Sequence, residues 1–185
     1  MIRVEIDRNA FVYPMPMTLV GAVVDGKVNF MAVGWVSRVN FKPPMIAVAI
    51  GRHHTYKGIL ENQQFSVNVP GKDLLQATDH CGLVSGAKVD KSDVFPVFFG
   101  ELDHAPMIKS CPITMECQLV ERLQLPTNEL FIGQIHKAYC LEECMVDGEP
   151  DIRSIEPFSL TMPDNNFWLV GDHVGKAWDL GKGYR

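Results

Sequence analysis

Residues 19–36 read LVGAVVDGKVNFMAVGWV, and this stretch decides the fold class. Two apolar runs rich in branched side chains, Leu19 to Val24 and Val28 to Val36, flank Asp25-Gly26. Asp-Gly between such runs predicts a tight hairpin, because both residues tolerate the positive φ that the turn needs. Further out, Phe41-Lys42-Pro43-Pro44 breaks the chain, and Met45 to Ile50 (MIAVAI) predicts a buried strand ending at Gly51. Phe65 to Val69 alternates in strand fashion and stops at Pro70-Gly71. Thr114 to Glu121 sets Met115, Cys117 and Leu119 against Thr114, Glu116 and Gln118, which predicts a half-buried strand with the carboxylates on a solvated face. Leu130 to Leu141 predicts a long, bulged strand after a turn at Asn128-Glu129. Two short helices are expected, Tyr56 to Asn62 with Thr55 as N-cap, and Lys72 to Cys81. Gly82 to Asp93 reads as a loop or broken helix. Strands dominate without sustained strand–helix alternation, so the expected class is mainly β, a β-barrel with a few short helices.

The chain has 185 residues, which favours a single domain over 1–185, with an irregular C-terminal extension from about residue 160. It is 46% hydrophobic and 21% charged, ordinary for a globular protein. The formal net charge is −5 and no basic run occurs, so no nucleic-acid partner is expected. An anionic ligand would have to be held by a local group of donors against the overall charge. No segment approaches the ~20 apolar residues of a membrane span. Glu5 and Asp7 do not fit a signal peptide, so a cytoplasmic location is expected. Five cysteines, Cys81, Cys111, Cys117, Cys140 and Cys144, read as thiols, and their spacing matches no zinc ribbon. His80 and Cys81, adjacent in sequence, are poorly placed to chelate a metal.

From Met15 to Pro70 the motifs follow in a readable order. Pro14-Met15-Pro16 precedes the hairpin, and Asn29 begins Asn29-Phe30-Met31-Ala32-Val33-Gly34-Trp35. Pro43-Pro44, Arg52-His53-His54-Thr55 and Phe65-Ser66-Val67-Asn68-Val69-Pro70 follow, and later Cys81-Gly82-Leu83-Val84-Ser85-Gly86 runs to Asp90-Lys91. This ordered set resembles the flavin reductase-like family of FMN-binding split β-barrels of Greek-key type, and within it the flavoredoxin branch. The resemblance covers roughly Val12 to Cys117. It implies a homodimer with FMN near the subunit interface. It also implies that Asn29, Met31, Ala32, Val33, Gly34, Trp35, Arg52, His54, Thr55, Ser85, Gly86 and Lys91 surround the cofactor. Relatives often carry Thr or Ser at the position of Ala32 and Ala at that of Gly34, so the resemblance implies that this chain would lose a hydroxyl near the flavin and pack more loosely there.

The residues make chemical sense for such a ligand without the resemblance. A phosphate needs N–H and cationic donors, and Thr55 at a helix start beside Arg52, His54 and Lys57 offers them. Ser85-Gly86 with Lys88 and Lys91 offers a second set. Met31 to Trp35 offers backbone amides, and small Ala32 and Gly34 allow a flat ring to approach. Taken singly, Trp35 reads as core, Asn29 as a turn residue and Cys81 as a small buried hydrophobe. No nucleophile has a base at a useful spacing, so no protein catalytic residue is expected and the cofactor carries the electrons. Three functions stay open: a reductase with NAD(P)H as a transient co-substrate, an electron carrier working with a protein redox partner, and an FMN-binding module without turnover. No GxGxxG motif follows a strand, so NAD(P)H would bind without a Rossmann module.

Overall fold

The computed structural model describes residues 1–184. Along the chain lie β1 (Met15–Pro16), β2 (Thr18–Val24), β3 (Lys27–Val33), β4 (Val36–Asn40) and β5 (Met45–Ile50). Helix α1 (His54–Asn62), β6 (Gln64–Val69) and helix α2 (Leu75–Leu83) come next. They are followed by β7 (Val97–Phe98), β8 (Met107–Ile108), β9 (Ile113–Gln124) and β10 (Glu129–Cys140). The chain finishes through β11 (Met145–Val146), β12 (Glu149–Pro150), α3 (Ile152–Ile155), β13 (Phe158–Thr161) and β14 (Asn166–Leu169).

The mainly β class is as expected from the sequence. One antiparallel sheet of seven strands dominates, in the order β3-β2-β6-β9-β10-β5-β4. Its two end strands, β3 and β4, are neighbours in sequence, joined through Gly34-Trp35. The sheet therefore curls until its ends meet at one corner, where no ladder joins them. The Ala49 N–H donates to the Trp35 carbonyl at 2.9 Å and fixes that corner. The result is a barrel split along one seam, with the outer backbone edge of β3 free. The run read as one strand from Val28 to Val36 is thus two, and the polar Ser37-Arg38 of β4 gave no strand signal. The hairpin at Asp25-Gly26 forms as expected, with positive φ at both residues.

Both faces of β2 are covered. Val20 and Ala22 face a core with Val48, Ile59, Phe65, Val67 and Phe131, under α1. Leu19 faces the other way, into a core with Phe30, Cys81, Phe95 and Ile108, under α2. Phe30, Phe65 and Phe131 are fully buried, each contributing roughly 1.5–3 kcal/mol. β10 is bulged as expected, with register shifts at Ile132/Gly133 and Ile135/Lys137.

Further expectations fail. Glu116 is not on a solvated face but has 0% exposure. Its carboxylate accepts the backbone N–H groups of Glu101 (3.2 Å) and Leu102 (2.8 Å) and the Tyr139 hydroxyl (3.2 Å). The loop after β7 lies over that face of β9, and strand alternation cannot reveal a cover arriving from elsewhere. Thr55 is not the N-cap of α1 either: His53 holds that place, with no side-chain cap bond.

Candidate functional site

A cleft runs along the free edge of β3 as two adjoining chambers, of about 300 and 220 Å³. Together they fall in the roughly 300–1,000 Å³ range of small-molecule sites. Met31, Ala32 and His53 line both and mark the passage between them.

The first chamber is built where α1 starts. No side chain caps that start and no acidic residue occupies its first turn, so its leading N–H groups and dipole are not neutralised locally. Thr55 turns inward, and its Oγ1 accepts a bond of 2.6 Å from Asn29 Nδ2, both residues being buried. That bond ties α1 to β3. Beside it, His54 Nδ1 is a buried atom with no partner. A buried atom without a partner is costly. The opposite wall is the loop after α2. A Cβ on Gly86 would overlap Asn29 Oδ1 and the His54 ring, so only glycine lets this loop close onto β3 and α1.

Lys91 anchors that loop from inside. It is 3% exposed, and its ammonium donates to the carbonyls of Phe30 (2.5 Å), Val84 (3.2 Å) and Cys81 (3.3 Å). Two of these lie at the C-terminal end of α2, where a cation suits the helix dipole. No carboxylate pairs with it among the described residues, and burial pulls its pKa below the usual lysine range. Its three carbonyl partners are the acceptors an ammonium needs, and they place Lys91 in the chamber wall among dipoles. On the outside, Lys27 and Asp90 form an exposed ion pair of 2.6 Å across the same loop.

The second chamber is apolar. Met15, Val33, Gly34, Trp35 and Ile50 line it, with Leu160 and Met162 brought in by the β1–β13 pairing. Trp35 is not core: it is 48% exposed. The Phe30 carbonyl points away from β2 toward Lys91. Strand alternation aims the Ala32 N–H and C=O the same way, toward the cleft, as a donor–acceptor pair for a ring edge.

The sequence-predicted residues converge here. Asn29, Met31, Ala32, His54, Thr55, Ser85, Gly86 and Lys91 line the first chamber, and Val33, Gly34 and Trp35 the second. Arg52 is exposed and lines neither. Sequence reasoning did not assign His53, Asn128, Leu160 or Met162 to the site. Pro14-Met15-Pro16 was the only local signal for this wall, because Leu160 and Met162 arrive through long-range pairing. Cys81 lines the first chamber, but burial pushes its thiol upward, so it is no nucleophile at neutral pH. The arrangement suits binding: a planar apolar body in one chamber, an anionic head at the helix start in the other.

The profile of the flavin reductase like domain matches residues 10–150. An uncharacterized protein from Archaeoglobus fulgidus is 33% identical over 146 residues, 77% of this chain and 81% of that one. A crystal structure described as flavoredoxin from Methanosarcina acetivorans superposes with a TM-score of 0.96 at 53% identity, covering 98% of each chain. Flavoredoxin of Desulfovibrio vulgaris (Miyazaki F) superposes with a TM-score of 0.88 at 28% identity, covering 97% of this chain and 100% of that one.

Proposed function

Because the chain belongs to the flavin reductase-like family, we propose that it binds FMN in the two-chamber cleft and passes electrons through it. The observation that carries this is the start of α1: an uncapped helix end opening into the chamber whose wall holds Lys91. The phosphate sits there, met by first-turn N–H groups, His54 and the Ser85-Gly86 loop. Thr55 acts by holding Asn29, and so the chamber's shape. The ring lies in the second chamber, with Met31, Val33, Gly34 and Trp35 against its faces and Ala32 at its edge. Arg52 acts from the rim, by charge alone. When bound, FMN supplies the redox chemistry; the protein binds, orients and shields it. The chain works as a homodimer in the cytoplasm, where its free cysteines stay reduced.

Two electron donors are consistent with this site. The 53%-identical structure is described as flavoredoxin, which favours a protein redox partner reaching the ring past exposed Trp35. NAD(P)H docking at the same open face is the other. Anaerobic mixing of the yellow protein with NADH and NADPH separates them. Bleaching by either nucleotide makes it a reductase; no bleaching with both leaves the carrier or a binding module without turnover. A colourless protein that takes up no added FMN contradicts both.

A further inference from the structure

Past β14 the chain leaves its own body. Residues 170–184 form no backbone hydrogen bond outside themselves among those described; the bonds present are local, such as Leu180 N–H to the Lys176 carbonyl and Tyr184 N–H to the Gly181 carbonyl. Yet the segment carries Val174 at 91%, Trp178 at 93%, Leu180 at 71% and Tyr184 at 92% exposure. These large apolar side chains, bare within one short stretch, are available for another surface to cover.

An unfilled apolar groove of about 650 Å³ lies elsewhere on the molecule. Phe11, Val12, Val36, Val39 and Leu130 line it, and it shares Met15, Gly34, Trp35 and Ala49 with the second chamber. It is therefore continuous with the cleft. The tail leaves from β14, at the far edge of the sheet β1-β13-β14 from the groove beside β1, and runs on without touching it.

We propose that the tail of a second copy of this chain, led by its Trp178, fills this groove and covers the open side of the second chamber beside Trp35. Two-fold symmetry makes the exchange reciprocal, each copy giving a tail and receiving one. The areas agree: Trp178 and Tyr184 bury about 150–250 Å² each when covered. With Val174 and Leu180 they supply a large part of the roughly 800 Å² per partner of a standard stable interface. The covering of a flavin ring rests on the FMN reading above; the contact of tail with groove does not.

Full-length protein with p-benzoylphenylalanine in place of Trp178, irradiated with and without FMN, tests the contact. The expected product is a covalent pair of chains on a denaturing gel, with residue 178 joined to a peptide containing Phe11, Trp35 or Val39. Links confined to one chain, links to another surface, or none overturn the proposal. Trp178→Ala in the full chain should weaken self-association roughly tenfold or more in sedimentation, since a buried interface tryptophan is a typical hot spot. Its far-ultraviolet circular dichroism should not change, because Trp178 touches little of its own chain. Unchanged association overturns the proposal. Neither readout needs flavin, so a protein that binds no FMN would fail the reading above and leave this one to stand or fall alone.

Discussion

At the scale of single residues, the bond from Asn29 Nδ2 to Thr55 Oγ1 does the most to shape the site. Both partners are buried, so losing one leaves the other unpaired. Thr55→Val keeps the shape and removes the acceptor. It should cost about 1–3 kcal/mol in a urea melt and weaken FMN binding; a melt like that of the wild type would contradict the role given to the pair. Cys81 tells the opposite story. Burial raises its thiol pKa despite nearby Lys91. At pH 7 iodoacetamide should leave Cys81 unmodified by mass spectrometry while half-buried Cys140 reacts. Modification of Cys81 first would contradict that account.

At the scale of elements, the loop from Val84 to Asp93 is held by three devices: Gly86 against β3, Lys91 beneath and the Lys27–Asp90 pair outside. Gly86→Ala should lower FMN affinity roughly tenfold or more, because the added Cβ displaces the wall of the chamber; an unchanged titration would count against it. The outer pair is pH-dependent in a defined sense. The Lys27 hydrogen bond, then the Ser92 N–H, hold the Asp90 carboxyl well below the usual carboxylate range. The contribution of the pair is complete above about pH 4 and fades only as pH falls through the lower folded-state value. The protection factors of the loop amides, exchange rates corrected for their intrinsic pH dependence, should fall below that range and stay level from pH 5 to 8; a fall near pH 6 would contradict this. Buried Glu116 holds the other loop, at Glu101 and Leu102, and Glu116→Gln should cost about 1–3 kcal/mol in a urea melt.

These elements also show what could be read in advance. The Asp25-Gly26 hairpin, MIAVAI and the bulged strand near Leu130 were legible, because turn chemistry and apolar runs are local. β4 was not, since its polar residues pair only because β5 lies beside them. Glu116 was misread because its burial depends on a loop that strand alternation cannot foresee. Asn29, Thr55, Ser85 and Gly86 were placed through their motifs, whereas the roles of Thr55 as an internal acceptor and Lys91 as a helix-end cation needed coordinates.

At the scale of the whole molecule, the split in the barrel makes the site. The sheet ends at β3 and begins again at β4, and the edge left free supplies backbone groups, a charged chamber and an apolar one. The longest-range parts, Leu160 and Met162, were beyond any local signal. Among the described residues, no helix is long and apolar enough to cross a membrane. In the proposed function, the uncapped start of α1 holds the phosphate of FMN. Parallel titrations of the flavin-free protein with FMN and with riboflavin, followed by flavin fluorescence, test it most directly. The expected result is one FMN per chain and riboflavin binding weaker by roughly tenfold or more, the loss of charge-assisted hydrogen bonds. Equal affinity for the two, or no binding of either, would contradict it.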